Sequence, residues 1–224
     1  MGLKIQLEKV KPDAGSSFRI LKNPRLNDLF YWHYHPEYEL IFISGADGTR
    51  HIGEHISRYS GSDLVFMGPN IPHLNFDYGL RTDYEKIVVQ LKEDFLSDAL
   101  TNIPELSDIR ELFAKARNVI TFHGKTKQLI GAKLKELAHL SHFKQLMHLL
   151  EIFQTLATSQ ESTILNVAPV EQNYNLKEQQ RIKKIYHYVE EHFQEKINPQ
   201  EMAEMCNLSM AAFCRYFKKM TNMT

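Results

Sequence analysis

Cysteine, net charge and long apolar runs are all scarce in this chain of 224 residues. The only two cysteines, Cys206 and Cys214, lie near its end, which argues against a disulfide framework and favours a reducing compartment. Basic and acidic residues number 27 each, so any affinity for nucleic acid has to be local. No stretch approaches the ~20 apolar residues of a membrane span, and residues 1–10 lack the apolar centre of a signal peptide. We therefore expect a cytoplasmic protein with no membrane partner.

The first part of the chain consists of short β-type runs separated by turn residues. Gly45–Gly48 and Gly68–Asn70 are two such turns. Many short strands at even spacing predict an antiparallel barrel or sandwich. The predicted strands are 17–21, 30–34, 38–44, 49–52, 63–67, 73–76 and 84–91.

Helical periodicity replaces the alternating pattern after Leu91. Apolar residues form one stripe over 109–116, and a short strand is predicted at 119–122. Two further stripes, over 129–140 and 143–156, predict a pair of helices. This pair packs either on the strands or against a second protomer, and a homodimer is expected in the second case. The polar segment 158–175 is interpreted as a linker, followed by a supporting helix over 176–193.

The C-terminal segment has the pattern of a helix-turn-helix. Asn198 is placed to cap a first helix, with Pro199 at its first position and Glu201 three residues after the cap. Ser209 is placed to cap a second helix, whose apolar positions recur every three to four residues and predict one buried face. No acidic residue follows Ser209. The candidate DNA-contacting residues are Ser209, Met210, Ala211, Arg215, Lys218 and Lys219.

This segment resembles the first of the two helix-turn-helix units of the AraC/XylS family of bacterial transcription regulators. Met210 stands where proline is frequent in that family, and Asn222 stands where glycine normally closes the helix. The resemblance implies a linking helix and a second unit beyond this point, so we interpret the sequence as that of a truncated regulator. The resembling residues are Leu208, Ser209, Phe213, Arg215, Phe217, Lys218, Lys219 and Thr221.

A second group of candidate residues lies in the β-rich part. His33 and His35 have the same parity in a predicted strand, and Glu39 joins them across the bend at Pro36. His73 follows the Gly-Pro-Asn turn of a later strand. Three imidazoles and one carboxylate form a suitable ligand set for zinc, nickel, iron or manganese.

These four residues resemble the motifs of the cupin fold, a small β-barrel whose first motif supplies two histidines and a glutamate. AraC-type regulators commonly carry a cupin sensor, so the resemblance implies that His33, His35, Glu39 and His73 bind an effector, a divalent metal, or both. Arg19 and Arg50, on neighbouring predicted strands, are candidate anchors for an anionic effector. Carbohydrate is expected as effector only by analogy with the family.

The sequence therefore predicts an α+β protein: a cupin β-barrel over 1–92, a helical region over 93–157, a linker over 158–175 and an all-α helix-turn-helix unit over 176–224. The expected function is regulation of transcription in response to a small molecule, through double-stranded DNA, without enzymatic activity. Two alternatives stay open: a metal-dependent cupin enzyme, and an effector-binding or dimerisation module without DNA binding.

Overall fold

A computed structural model describes residues 6–8, 10–24, 32–53, 55–96, 102–165 and 197–221, with 181, 184–185, 188–189 and 192. Residues 166–175 of the predicted linker, most of the predicted helix 176–193, the start of the strand predicted at 30–34, and Asn222 lie outside these ranges. In the described part, no helix is long and apolar enough to cross a membrane.

The described strands form two sheets, and the central strands match the sequence prediction. The first five strands are β1 (Gln6–Leu7), β2 (Phe18–Lys22), β3 (Trp32–Tyr34), β4 (Tyr38–Ser44) and β5 (Gly48–Ile52). They are followed by β6 (His55–Tyr59), β7 (Ser62–Met67), β8 (His73–Leu74), β9 (Glu85–Leu91), β10 (Ile120–Phe122) and β11 (Ser162–Ile164).

One sheet has the order β1-β3-β8-β5-β6 and the other β11-β10-β7-β4-β9-β2. All the neighbouring strands are antiparallel except β1 and β3, which run parallel. The predicted α+β class is confirmed, whereas a closed barrel is not seen: among the described strands, hydrogen bonds form two sheets and close no ring. The predicted linker also needs correction, because β11 lies inside it and pairs with β10.

Five helices accompany the sheets in the described part of the chain. They are α1 (Ser107–Ala116), α2 (Gly124–Leu137), α3 (His142–Ala157), α4 (Pro199–Met205) and α5 (Met210–Thr221). A 3₁₀ turn at Pro104–Leu106 precedes α1. The predicted stripes at 109–116, 129–140 and 143–156 thus correspond to α1, α2 and α3.

The central strands β4, β7 and β9 of the six-stranded sheet are buried on both faces, and strict alternation in them divides the core in two. Residues such as Leu40, Phe66 and Val89 face α1, α2 and α3 in one apolar cluster. Residues of the opposite parity, such as Ile41 and Val65, pack towards the five-stranded sheet in a second cluster. Glu39 has the same parity as Ile41, so its side chain faces the five-stranded sheet, where His33 and His73 lie in β3 and β8.

Candidate functional site

Three short segments bring His33, His35, Glu39 and His73 together, as the sequence predicted. His33 in β3 and His73 in β8 are register partners. His35 follows β3, and Glu39 is the second residue of β4. All four side chains are buried, with no residue more than 4% exposed. Burial of four ionisable groups is costly unless they are paired or bind an ion, so this cluster is the first candidate site.

Glu39 is the centre of the cluster. Its Oε2 lies 2.6 Å from Nε2 of His35, and its Oε1 lies 3.7 Å from Nε2 of His73. The side-chain amide of Gln90 donates a hydrogen bond of 3.0 Å to Oε2. Burial alone would raise the pKa of Glu39, but His35 and then His73 and His33 lower it well below its usual range. Glu39 is therefore an ionised carboxylate inside the protein.

His35 is the histidine whose protonated form the surrounding carboxylates favour. Burial works to lower the pKa of His35, but the carboxylates of Glu39, Glu8 and Glu37 outweigh it and raise that pKa above its ordinary value. Its Nδ1 lies 3.6 Å from Oε2 of Glu37.

His73 differs from His35 because a backbone carbonyl fixes its tautomer. Its Nδ1 lies 2.8 Å from the carbonyl oxygen of Ile71 and donates to it, which leaves Nε2 unprotonated. Burial lowers the pKa of His73 well below its ordinary value, so the ring is neutral. Nε2 is buried and has no hydrogen-bond partner among the described residues. A neutral imidazole with its other nitrogen held by a carbonyl is the usual state of a metal-binding histidine.

The donor set fits a divalent transition metal. One ring nitrogen from each of His33, His35 and His73 lies within 4.8 Å of the others, and the carboxylate of Glu39 adjoins them. Nitrogen and oxygen donors of this kind suit zinc, nickel, iron or manganese. The unpartnered Nε2 of His73 is the observation that an ion would explain.

Glu8 belongs to the cluster although sequence reasoning missed it. Its Oε2 lies 3.5 Å from Nε2 of His33, and its Oε1 lies 3.8 Å from Nη1 of Arg19. The backbone N–H of Glu8 donates to the carbonyl oxygen of Tyr34, continuing the parallel pairing of β1 with β3. A strand of two residues, such as β1, is too short to show the alternation of apolar and polar residues that predicts a strand. The sequence around Glu8 therefore gives no local indication of its place in the cluster.

The two candidate arginines take different positions. Arg19 lies opposite Gln90 in the ladder, and Gln90 lies opposite Glu39, so Arg19 shares a row with the cluster. Arg50 lies two residues before Ile52, which pairs with His73, so it is about 7 Å further along the strand. Its Nε lies 3.3 Å from Oδ2 of Asp63, at the other end of the inner space. Arg19 thus joins the site, whereas Arg50 does not.

The C-terminal unit forms the predicted helix-turn-helix. Oδ1 of Asn198 accepts the backbone N–H of Gln200 at 3.0 Å, which caps α4. Oγ of Ser209 accepts the backbone N–H of Ala212 at 3.3 Å and caps α5. Between them, Asn207 adopts φ +53°, a left-handed conformation that asparagine tolerates, and turns the chain.

The helix-turn-helix has a small core of its own and an exposed second helix. Ile185, Met202, Ala203, Cys206, Phe213 and Tyr216 form its buried core. Ser209, Met210, Ala211, Arg215 and Lys218 are exposed, and Lys219 lies in α5 with its side chain outside the described part. The helix therefore exposes its first turn, Arg215 and Lys218 to solvent.

The comparisons with known proteins give remote likenesses. No family model matches the chain, and no curated protein matches it by sequence. ToxT from Vibrio cholerae O395, solved with (E)-4-(8-methylnaphthalen-1-yl)but-3-enoic acid, is 11% identical over 91% of this chain and 76% of its own, with a TM-score of 0.41. The AraC-like transcriptional activator CuxR is 9% identical over 82% of this chain and 62% of its own, with a TM-score of 0.34.

A cupin 2 conserved barrel domain protein from Rhodopseudomonas palustris is 22% identical over 37% of this chain and 68% of its own, with a TM-score of 0.24. Scores at this level assign neither family nor function to the chain.

Proposed function

We propose that this protein regulates transcription in response to a small molecule, with the helix-turn-helix binding double-stranded DNA. The observation that carries the proposal is the exposed face of α5, where Arg215 and Lys218 stand on a helix packed on its own core. The first residues of the second helix in this motif reach base edges in the major groove. Ser209, Met210 and Ala211 take that place here, and the cations reach bases or phosphates.

Because the net charge of the chain is zero, the attraction to DNA has to come from this helix alone. Contacts between its cations and phosphates make the binding sensitive to salt. A single unit of this kind buries only about 600 to 1,000 Å² on DNA, so its affinity is low. A homodimer raises the affinity through effective concentration. Exposed apolar side chains on α2 and α3 support such a dimer, since Leu129 is 51% and Phe143 is 72% exposed.

The experiment is a selection of bound duplexes from a random-sequence pool at about 50 mM salt, followed by fluorescence anisotropy on the selected sequence. Arg215→Ala is expected to weaken binding roughly 5- to 150-fold, the equivalent of about 1 to 3 kcal/mol. Arg58→Ala, which removes an exposed arginine from β6, is the matched control and should leave affinity unchanged. Absence of any selected sequence, or equal losses in both variants, contradicts the proposal.

The buried cluster of three histidines and Glu39 is the proposed effector site, and a divalent metal is proposed as part of it. His33, His35, Glu39 and His73 would hold the ion, which would supply Lewis acidity and open positions for an oxygen ligand. The unpartnered Nε2 of His73 supports this assignment, and it also keeps the metal-dependent enzyme open as a second function. Carbohydrate as effector stays an expectation by analogy. The two free cysteines, Cys206 and Cys214, accord with the proposed cytoplasmic location.

Elemental analysis of the purified chain by mass spectrometry tests the metal. A stoichiometric metal should be lost in His73→Ala and kept in His123→Ala, which removes an exposed histidine. If the parent and the two variants carry equal traces, the histidines are not metal ligands. Turnover of a small acid or phenol by the loaded protein would instead favour the enzyme.

A further inference from the structure

The carboxylate of Glu8 occupies a pocket of hydrogen-bond donors that the rest of the fold provides. Its Oε1 faces the Arg19 guanidinium at 3.8 Å. Its Oε2 accepts a long hydrogen bond of 3.4 Å from the side-chain amide of Gln90 and lies 3.5 Å from Nε2 of His33. A guanidinium, an amide N–H and an imidazole around one carboxylate are the chemistry of a carboxylate-binding site.

Two of the three donors, Arg19 and Gln90, belong to the six-stranded sheet. Gln90 is 2% exposed and is the second-to-last residue of β9, and its register partners are Arg19 in β2 and Glu39 in β4. Five ladder pairs join β2 to β9. Arg19 and Gln90 would therefore keep their places in the ladder if Glu8 withdrew.

Glu8 itself is held more weakly. It follows β1, which has only two residues and pairs with a single strand, β3. Burial and the nearby carboxylate of Glu39 raise the pKa of Glu8 above its ordinary value, so the protein holds this charge against opposing forces. The carboxylate of a small free acid is not tethered to a strand, so it can compete with Glu8 for Arg19.

We propose that Glu8 stands in for the carboxylate of a small organic acid, which displaces it from Arg19, Gln90 and His33. This inference rests on the proposed effector site and specifies the class of its ligand. The acid reports its presence by releasing Glu8 and with it the short pairing of β1 to β3. The ligand has to be an anion because Glu8 is the described ion-pair partner of Arg19, and its release would leave the positive charge of Arg19 without that partner.

Acetate is the probe, because it is the Glu8 side chain without its tether. The thermal unfolding of the full-length Glu8→Ala variant is measured by circular dichroism in sodium acetate and in sodium chloride of equal ionic strength. At an acetate concentration ten times its Kd, the folding equilibrium constant should rise about tenfold. For a chain of this size, that corresponds to a rise in Tm of roughly 3 to 6 °C.

Three comparison proteins make the result specific. Glu8→Gln fills the pocket with a neutral side chain of the same size, so acetate should not raise its Tm. The double variant Glu8→Ala with Arg19→Ala lacks the guanidinium and should also fail to respond. Glu93→Ala removes a carboxylate that pairs with Arg117 at 3.3 Å on the surface. Because it keeps Glu8 in the pocket, acetate should raise its Tm no more than it raises that of the parent, and less than that of Glu8→Ala.

A Tm of Glu8→Ala that is equal in acetate and chloride overturns the proposal. A rise in the Tm of Glu93→Ala in acetate as large as that of Glu8→Ala also overturns it. A response that disappears on addition of EDTA also overturns it, because acetate would then bind a metal rather than Arg19 and Gln90. If Glu8→Ala folds only in acetate, that rescue supports the proposal. The selection of DNA by the parent chain is scored separately, so a response to acetate without DNA binding refutes the regulator and leaves the carboxylate site standing.

Discussion

The pKa values of two buried histidines in the same cluster shift in opposite directions because of what their ring nitrogens face. His35 lies between the carboxylates of Glu39 and Glu37, which raise its pKa despite burial. His73 donates to the carbonyl of Ile71, and burial lowers its pKa. Their ring centroids are only 5.3 Å apart, and two imidazolium ions at that distance would repel each other. A neutral His73 beside a His35 whose protonated form is favoured avoids this repulsion.

Asp63 predicts a pH dependence of stability. Burial raises the pKa of Asp63 from an ordinary 3.8 to about 6, although Arg50 opposes the shift. The folded state therefore binds this proton more tightly than the unfolded state does. The resulting stabilisation is complete below about pH 4 and is lost as the pH rises through 6. The loss amounts to at most roughly 3 kcal/mol.

The measurement is the free energy of unfolding in urea at pH 4 and pH 7. The stability of Asp63→Asn relative to the parent should rise by about 1 to 3 kcal/mol between these two values. Asp47→Asn is the contrasting variant, because hydrogen bonds from Ser60 and Gly61 lower the pKa of Asp47. Its relative stability should change in the opposite direction. The same slope in both variants would show that Asp63 is not the group responsible.

Gly131 in α2 should resist substitution by alanine, although alanine is the better helix former by about 1 kcal/mol. A Cβ at this position would lie 2.3 Å from Cζ of Phe42, which is itself buried against the helices. Overpacking of this kind costs about 1 to 3 kcal/mol, so Gly131→Ala should lower the free energy of unfolding. Gln128→Ala, exposed on the same helix, should change it by less than about 0.5 kcal/mol. Stabilisation by Gly131→Ala would mean that Phe42 moves freely.

At the scale of elements, β11 and α2 depend on each other. The side chain of Glu161, just before β11, accepts the backbone N–H of Thr126 at 2.6 Å in the first turn of α2. The residue that precedes α2, His123, makes no side-chain cap of its own. Its backbone N–H donates to the carbonyl of Glu161. One acidic residue thus caps a helix and fixes the start of an edge strand.

Glu161→Ala should therefore loosen both elements together. Amide hydrogen exchange is expected to accelerate several-fold in the first turn of α2 and in Ser162–Ile164, while β4 and β7 keep their protection. Gln160→Ala, an exposed neighbour, is the control and should change neither element. Acceleration confined to one of the two elements would show that Glu161 does not couple them.

At the scale of the molecule, the described residues pack into separate cores. Two clusters share the six-stranded sheet, one towards the helices and one towards the second sheet. The third cluster draws its described members only from the C-terminal unit, residues 185–217. A core of that size gives a small margin of stability, so this unit should unfold independently of the sheets.

Phe213→Ala tests this independence. Phe213 is 3% exposed in the small core, and its truncation costs about 3 to 5 kcal/mol. Hydrogen exchange should show loss of protection over 197–221 with no change over β4, β7 and β9. Cys214→Ala, on the exposed side of the same helix, should leave protection intact. Loss of protection in the sheets would contradict two independently stable parts.

The sequence by itself determined the elements with strong local periodicity. The strands at Tyr38–Ser44 and Ser62–Met67, the stripes of the three middle helices, and both caps of the helix-turn-helix follow from side chains close together in the chain. Same-parity spacing also placed His33 and His35 with Glu39. These features depend on contacts within a few residues, which a sequence reader can see.

The tertiary structure alone decided the sheet edges and the membership of the site. The unpredicted strands β1, β6 and β11 all lie at an edge of their sheet, where one side is unpaired and little apolar pattern is needed. Glu8 enters the cluster, and Arg50 pairs with Asp63 instead, because of pairings between strands distant in sequence. Such pairings depend on how the whole chain closes on itself, and no local pattern encodes them.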